Sequence, residues 1–159
     1  MPVRRAVVVA VAMFLVASVV SVSLGMAWRQ AMIDAATERS RDEVRRDAGE
    51  IVAQVFSVSS DSWRSDRERA QELVGGEFAV RYATELTRPP ADGADSVVWR
   101  PEVVGIIDAD PDHVRALIRA TVTTVPARTA DPVTEKRSVT AEFGREDNRW
   151  TLTSVEVLS

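Results

Sequence analysis

The chain has 159 residues, no cysteine and a net charge of −4 at neutral pH. This length allows one domain and a short additional segment, and the absence of cysteine excludes a domain stabilised by disulfides. The excess of acidic residues argues against a nucleic-acid partner, which would require a basic surface.

An uncharged apolar stretch near the N-terminus predicts a transmembrane helix. From Ala6 to Trp28 the sequence contains no charged residue and no proline. At about 1.5 Å per residue, this helix would reach roughly 34 Å, which is enough to cross a hydrocarbon core of about 30 Å. We therefore assign residues 1–28 to a cytoplasmic N-terminus and a transmembrane anchor.

The same stretch also has features of a cleaved signal peptide. Arg4 and Arg5 would form its basic start, and Ser23-Leu24-Gly25 matches a small-x-small cleavage site. We favour an uncleaved anchor because the apolar run is long for a signal peptide and continues beyond that site. Under both interpretations the rest of the chain is exported.

The charges on either side of the anchor predict its orientation. Arg4 and Arg5 precede the span without a nearby acidic residue, whereas Arg29 is soon followed by acidic residues. An excess of basic residues stays in the cytoplasm. We therefore expect a single-pass protein of the plasma membrane, with its N-terminus in the cytoplasm and residues 29–159 outside.

The next segments predict a stalk and the first helix of an external domain. Residues 29–43 mix acidic and basic side chains at helical spacing, which indicates a solvated stalk helix. The domain itself is assigned to residues 44–159. Its first helix has one apolar face, defined by steps of three and four: Val44, Ala48, Ile51, Val55 and Val58.

Two shorter helices are predicted to follow. A capping box formed by Ser65 and Glu68 opens the second helix, which we expect to end at Gly75-Gly76. The third helix is expected over about residues 77–86, where apolar and aromatic residues recur at steps of four: Phe78, Tyr82 and Leu86.

After residue 93 the apolar period changes to two, which predicts four antiparallel strands in a meander. Pro101 predicts an edge position or a bulge in the first strand, and a bulge is expected near Thr153-Ser154 in the last. The second strand alternates most clearly, with one apolar face: Val114, Ala116, Ile118, Ala120 and Val122.

The order of these elements predicts the fold class. The strands follow the helices and do not alternate with them, which is typical of an α+β domain. We expect three helices to cover the apolar face of one curved, four-stranded antiparallel sheet.

The sequence contains few residues of the kinds that carry catalysis. His113, the only histidine, lies at the start of a strand next to Asp112, a position more typical of a turn than of a catalyst. There is no cysteine nucleophile, no G-x-S-x-G motif and no phosphate-binding glycine loop. We therefore predict that the protein is not an enzyme and has no catalytic residues, cofactor-binding residues or cofactor.

Three aspartates at alternate positions resemble the start of a calcium-binding loop. They are Asp108, Asp110 and Asp112. An EF-hand loop needs Gly at its sixth position and Glu at its twelfth, and here these positions hold His113 and Arg119. We interpret the segment as a β-turn and predict no metal site.

Two regions could bind a partner. The concave space between helices and sheet could hold an apolar ligand, lined by Trp63, Trp99 and Trp150, or these side chains could belong to the core. The other face of the sheet carries Arg115, Arg119 and Thr121. It could dock a protein or could simply be solvated.

The sequence resembles actinobacterial Mce-associated membrane proteins, which belong to mammalian-cell-entry lipid import systems. The likeness lies in the N-terminal span and in four later segments: 50–56, 66–78, 103–107 and 148–152. It implies a cone-shaped domain like nuclear transport factor two, held outside the plasma membrane, without ascribed catalytic residues.

The resemblance implies a non-enzymatic accessory subunit of an Mce-type lipid import system, which acts by binding other envelope proteins. The assembly subunit of type IV secretion (conjugation) systems has the same layout and is the alternative. A small-molecule enzyme on this fold would need a His–Asp or Tyr–Asp pair in a pocket, for which only His113 and Tyr82 are available. The sequence leaves the oligomeric state open.

Overall fold

The computed structural model of the protein describes residues 2–91, 93–128 and 131–158. The chain divides into two compact units, Met1–Ala36 and Thr37–Ser159. Helix α1 spans Pro2–Phe56 and supplies the whole described part of the first unit.

The N-terminal unit contains the stretch for which the sequence predicts a transmembrane anchor. Most side chains between residues 2 and 22 lie outside the described part of the chain. Among the residues that are described, no helix combines the length and the hydropathy that a membrane span requires. The structure therefore does not confirm the predicted transmembrane helix.

The C-terminal unit combines helices with one antiparallel sheet of strand order β1-β2-β3-β4-β5. After α1 its elements are β1 (Val58–Ser59), α2 (Trp63–Glu72), α3 (Gly76–Arg81), a 3-10 turn (Glu85–Thr87), β2 (Ala94–Ala109), β3 (His113–Pro126), β4 (Val133–Glu146) and β5 (Arg149–Leu158). The predicted α+β class with a curled antiparallel sheet is confirmed.

The sheet has five strands, and the prediction of four was wrong. The additional strand β1 pairs through Val58 with Val97 and through Ser59 with Ser96. Two residues are too few to show an alternating pattern, so the segment is recognisable only from its pairing with β2.

The second half of α1 packs on the sheet, as its apolar spacing predicts. Its buried residues recur at steps of three and four: Val44, Ala48, Ile51, Val52 and Val55. Burying a valine side chain stabilises the fold by about 1.5–3 kcal/mol relative to leaving it exposed. Close approach is possible at Gly49, where a Cβ atom would lie 3.2 Å from the Cβ of Pro101.

Strand β3 lies near the middle of the sheet and contributes one complete face to the core. Its five apolar residues of one parity are at most 5% exposed: Val114, Ala116, Ile118, Ala120 and Val122. Ile118 pairs with Val104 on β2 and with Val139 on β4. The predicted register of this strand is confirmed, and the opposite parity faces away from the core.

Helix α2 begins earlier than predicted, and the expected capping box does not form. The first helical residue is Trp63, with Ser62 as N-cap. The hydroxyl of Ser65 donates instead to the Ser62 carbonyl, over 2.9 Å. Ser62 Oγ in turn donates to the Asp66 carboxylate, over 2.8 Å.

Pairing with the sheet ends α2 at Glu72, before the predicted end at Gly75-Gly76, and α3 ends at Arg81 instead of near residue 86. Leu152 of β5 donates its N–H to the Leu73 carbonyl over 2.8 Å and accepts from the Gly75 N–H over 3.0 Å. After Glu72, these hydrogen bonds to β5 take the place of hydrogen bonds within the helix. A Cβ atom on Gly75 would lie 2.6 Å from Thr151 Oγ1, so this contact requires glycine.

The predicted irregularities of the outer strands are confirmed. Strand β2 shifts register between Pro101 and Val103, as expected from a proline at a sheet edge. On β5, Leu152 pairs with Phe143 and Ser154 with Glu142, so Thr153 is the extra residue of a bulge.

Candidate protein-binding surface

Aromatic side chains occupy space between the helices and the sheet. The Phe56 ring centroid lies 5.2 Å from that of Trp99 and 6.2 Å from that of Phe78. The Phe78 ring stacks on Tyr82 with a centroid distance of 4.3 Å. These rings pack with the hydrophobic core, where a ligand would otherwise have to lie.

The three tryptophans considered as pocket residues have different surroundings. Trp150 is buried in the core and Trp99 packs against it. Trp63 begins α2, where the Arg64 guanidinium lies 4.6 Å from its ring centroid. The sequence left two positions open for these side chains, a shared ligand pocket or the core. The structure places Trp150 in the core and Trp99 against it.

A groove of about 300 Å³ lies outside the core, between the end of α1, β1, β2 and α2. The carboxylate of Asp66 forms part of its wall and pairs with Arg69 over 2.5 Å. Burial raises the pKa of Asp66, but hydrogen bonds from Ser62 and from the Ser59 N–H outweigh this and lower the pKa. The carboxylate thus connects α2 to β1, which is a structural role.

The run of three aspartates forms a turn. Asp110 Oδ1 accepts hydrogen bonds from the backbone N–H groups of Asp112 and His113, each over 2.8 Å. Ser40 of α1 donates to the Pro111 carbonyl, also over 2.8 Å. This is the β-turn expected from the sequence, and it is held against α1. The absence of a metal site stays a prediction.

His113 lies beside this turn and is open to solvent. Its Nδ1 atom is 3.4 Å from Asp110 Oδ1, and its side chain is 77% exposed. His113 and Asp110 line an open groove of about 270 Å³ at the start of β3.

One polar cluster was not predicted. Glu43 Oε2 accepts hydrogen bonds from Arg145 Nη2 over 2.6 Å and from Trp150 Nε1 over 2.9 Å. The guanidinium of Arg145 also lies over the Trp150 ring, 4.5 Å from its centroid. The Trp150 hydrogen bond and then the Arg145 hydrogen bond lower the pKa of Glu43. The last turn of the predicted stalk is thus bonded to the sheet.

The outer face of the sheet is the face opposite the one that the helices cover. It carries Arg115, Arg119 and Thr121, as predicted from the alternation of β3. Arg115 Nη2 pairs across strands with Glu142 Oε1 over 2.9 Å. Thr121 Oγ1 donates to Glu102 Oε1 over 2.6 Å.

The charges on this face are mixed. The hydrogen bond from Thr121 has the largest effect on Glu102 and lowers its pKa. Burial opposes this with a smaller effect, and the charges of Lys136 and Arg119 lower the pKa further. Lys136 Nζ lies 3.8 Å from Glu102 Oε2. The face therefore presents cations and carboxylates close together, not the basic surface that a nucleic-acid partner would require.

The outer face also carries exposed apolar residues, of which only Leu117 lies at a position that the alternation of β3 predicts to face outward. Val103, Ile107 and Leu117 are 59%, 54% and 41% exposed. Two adjacent apolar pairs in β2, Val103-Val104 and Ile106-Ile107, are the signal in the sequence, because only one residue of each pair can face the core.

Comparisons with known proteins identify the fold. No protein-family model and no curated protein match this sequence. Its structure is similar to that of CagV, a VirB8 homolog of the type IV secretion system of Helicobacter pylori strain 26695. The TM-score is 0.57 at 14% sequence identity, over 73% of this chain and 96% of that chain.

A second similar structure is an IcmL-like type IV secretion system protein from Legionella pneumophila. The TM-score is 0.55 at 12% identity, over 74% of this chain and 91% of that chain. At these identities the likeness shows the fold alone, which is the VirB8-like form of the nuclear-transport-factor-two fold. No sequence match supports the Mce resemblance.

Proposed function

We propose that this chain is a non-enzymatic subunit of an envelope assembly of the type IV secretion kind, and that it acts by binding other envelope proteins. The observation that carries the proposal is the likeness to two type IV secretion proteins. Each is covered over more than nine-tenths of its own length. The likeness thus concerns a whole domain and not a shared fragment.

The polar groups of the C-terminal unit support a binding role. The carboxylates of Glu43 and Asp66 are engaged in contacts between structural elements. Asp110 caps a turn, and His113 is exposed beside it. The three carboxylates thus make contacts within the fold, which supports a binding role over a catalytic one.

A membrane anchor is part of this proposal and rests on the sequence. The absence of charge between Ala6 and Trp28 favours insertion, and Arg4 and Arg5 favour a cytoplasmic N-terminus. Such an anchor would keep the C-terminal unit at the membrane surface, where subunits of an envelope complex assemble.

Chemical crosslinking in native membranes, followed by identification of the partners, tests this function. The bait is the tagged full chain, and the control is a tagged chain that lacks residues 37–159. Secretion-channel subunits should crosslink to the full chain and not to the control. Recovery of no envelope protein, together with turnover of a small molecule by the C-terminal unit, would contradict the proposal.

The second candidate is an accessory role in Mce-type lipid import. It is favoured by the four sequence segments that resemble Mce-associated proteins, but not by the two structural neighbours described above. In the same experiment, recovery of a lipid-import permease and its substrate-binding subunits would select this candidate.

A further inference from the structure

Two of the three register shifts in β2 are bulges that place additional side chains on the outer face of the sheet. They lie between Pro101 and Val103 and between Ile106 and Asp108. At a bulge, two residues on one strand lie opposite one residue on its neighbour. Ile107 is thereby turned away from the core, while Ile106 packs against it.

Between these bulges, Gly105 leaves a gap in the outer face. It pairs with Leu117 of β3. If position 105 carried a Cβ atom, its nearest neighbour would be the Leu117 carbonyl oxygen, 4.0 Å away. Nothing within the domain therefore requires glycine at this position. We call the gap and its three apolar walls the β2 patch: Val103, Gly105, Ile107 and Leu117.

A guanidinium adjoins the β2 patch. Arg119 is the next outward-facing residue of β3 after Leu117. It pairs with Val103 of β2. In the part of the chain that the structure describes, Arg119 has no carboxylate within 4.0 Å, whereas Arg115 is paired with Glu142. Its interaction with Glu102 is a longer-range one. Arg119 is thus available to a carboxylate from outside.

The free edge of β2 is poorly suited to the addition of another strand. Pro101 has no N–H group, and the two bulges interrupt the regular spacing of the backbone groups. A partner would therefore be held by contacts to side chains on the face of the sheet. Exposed apolar residues next to arginine are typical of such interfaces.

We propose that the β2 patch and Arg119 bind an extended segment of a partner protein, with an apolar side chain two residues from a carboxylate. Alternate residues of an extended chain are about 6.6–6.8 Å apart, which matches the spacing of Leu117 and Arg119 along β3. The apolar side chain fills the gap over Gly105, and the carboxylate pairs with the Arg119 guanidinium. This proposal rests on the proposed function and assigns it a surface.

Photocrosslinking from the full chain in its native membrane tests the location. Ile107 is replaced by p-benzoylphenylalanine, and the control carries it at Val80, which is 80% exposed on α3. Position 107 should crosslink to one envelope protein, at a segment with the apolar-x-acidic pattern. Crosslinks from position 107 to lipid or to a second copy of this chain would overturn the proposal.

Two substitutions test the chemistry of the site. Gly105→Val fills the gap and should reduce the crosslink from position 107 at least tenfold. The melting temperature should be unchanged or higher, because valine suits a strand better than glycine. Arg119→Glu should cause a similar loss, and replacing the mapped partner carboxylate by arginine should restore the crosslink.

The two proposals fail in different ways. If both variants crosslink as well as the parent, or if envelope proteins are captured from position 80 and not from 107, the β2 patch is not the site. The proposed function would then stand. If no position captures an envelope protein, the proposed function fails as well.

Discussion

Glu43 and Arg145 are 102 residues apart in the sequence, and their side chains form an ion pair over 2.6 Å. The pair joins α1 to β4 immediately before the β4–β5 turn. Since Trp150 donates to the same carboxylate oxygen, one acidic side chain connects three elements of the C-terminal unit.

Replacing Glu43 by glutamine should destabilise the C-terminal unit by about 1 kcal/mol, since solvent screens a side chain that is 38% exposed. The charge-assisted bond to Arg145 is lost, and a buried indole N–H keeps at best a weaker acceptor. Urea unfolding of the C-terminal unit measures the effect. The control is Glu38→Gln, whose side chain is 66% exposed and pairs only with Arg41. We expect less than about 0.5 kcal/mol there. Equal effects of both variants would show that the cluster contributes nothing.

The same carboxylate should make stability depend on pH. The pKa of Glu43 is lowered in the folded state from an ordinary value of 4.5. Its contribution is therefore present above that pH and is lost as the pH falls through the folded-state pKa. Unfolding free energies measured from pH 6 to pH 3 should fall less steeply for Glu43→Gln than for the parent chain. The difference should be small, because the Glu43 side chain is 38% exposed. Parallel curves would contradict the assignment.

The sequence predicted the parts of the fold that follow from local patterns. The alternation in β3 located its buried face, because the strand packs on one side only. Pro101 marked a bulge, because proline cannot donate to a regular ladder. The apolar spacing of residues 44–55 similarly located the buried face of α1.

Features that depend on distant residues were not predictable in this way. The end of α2 is determined by the hydrogen bonds that Leu73 and Gly75 form with Leu152 of β5, which outweigh the local signal at Gly75-Gly76. The partner of Glu43 lies beyond the reach of any sequence period. The β2 patch requires two register shifts: Pro101 predicts the first, whereas the second is marked only by the adjacent apolar residues Ile106 and Ile107.

Ile118→Asp should destabilise the C-terminal unit by several kcal/mol, on the order of 4. Ile118 is fully buried between β2 and β4, so the new carboxylate would have neither water nor a partner. Thr121→Asp, on the outer face of the same strand, should cost less than about 1 kcal/mol, mainly through repulsion from Glu102. Thermal unfolding of both variants provides the comparison. A larger loss for Thr121→Asp would mean that the register of β3 is wrong.

Calcium should not raise the melting temperature of the C-terminal unit. Asp110 already uses Oδ1 to accept two backbone N–H groups of its own turn. Asp110→Ala should therefore lower stability by about 1 kcal/mol, equally with and without calcium. A ligand present at 100 times its dissociation constant would add about 2.7 kcal/mol, which calorimetry detects readily. A calcium-dependent shift in the parent chain that disappears in Asp110→Ala would refute the turn interpretation.

The orientation of the chain in the membrane can be tested with reporters fused to its C-terminus. Arg4 and Arg5 precede the uncharged stretch that ends at Trp28, so an enzyme that is active only outside the cytoplasm should be active there. A reporter that is active only in the cytoplasm should be inactive. Deleting residues 6–28 should reverse both results, because export depends on the apolar stretch under either interpretation of it.

The size of the fusion protein distinguishes these interpretations. An uncleaved anchor leaves the full-length product in the membrane fraction, whereas cleavage after Gly25 releases a product shorter by about 25 residues. Val16→Arg would cost roughly 3 kcal/mol of insertion free energy and should reduce the outside activity of an uncleaved anchor. If the cytoplasmic reporter alone is active in the parent fusion, the predicted topology is wrong. The binding surface proposed on β2 would then have to meet its partner on the other side of the membrane.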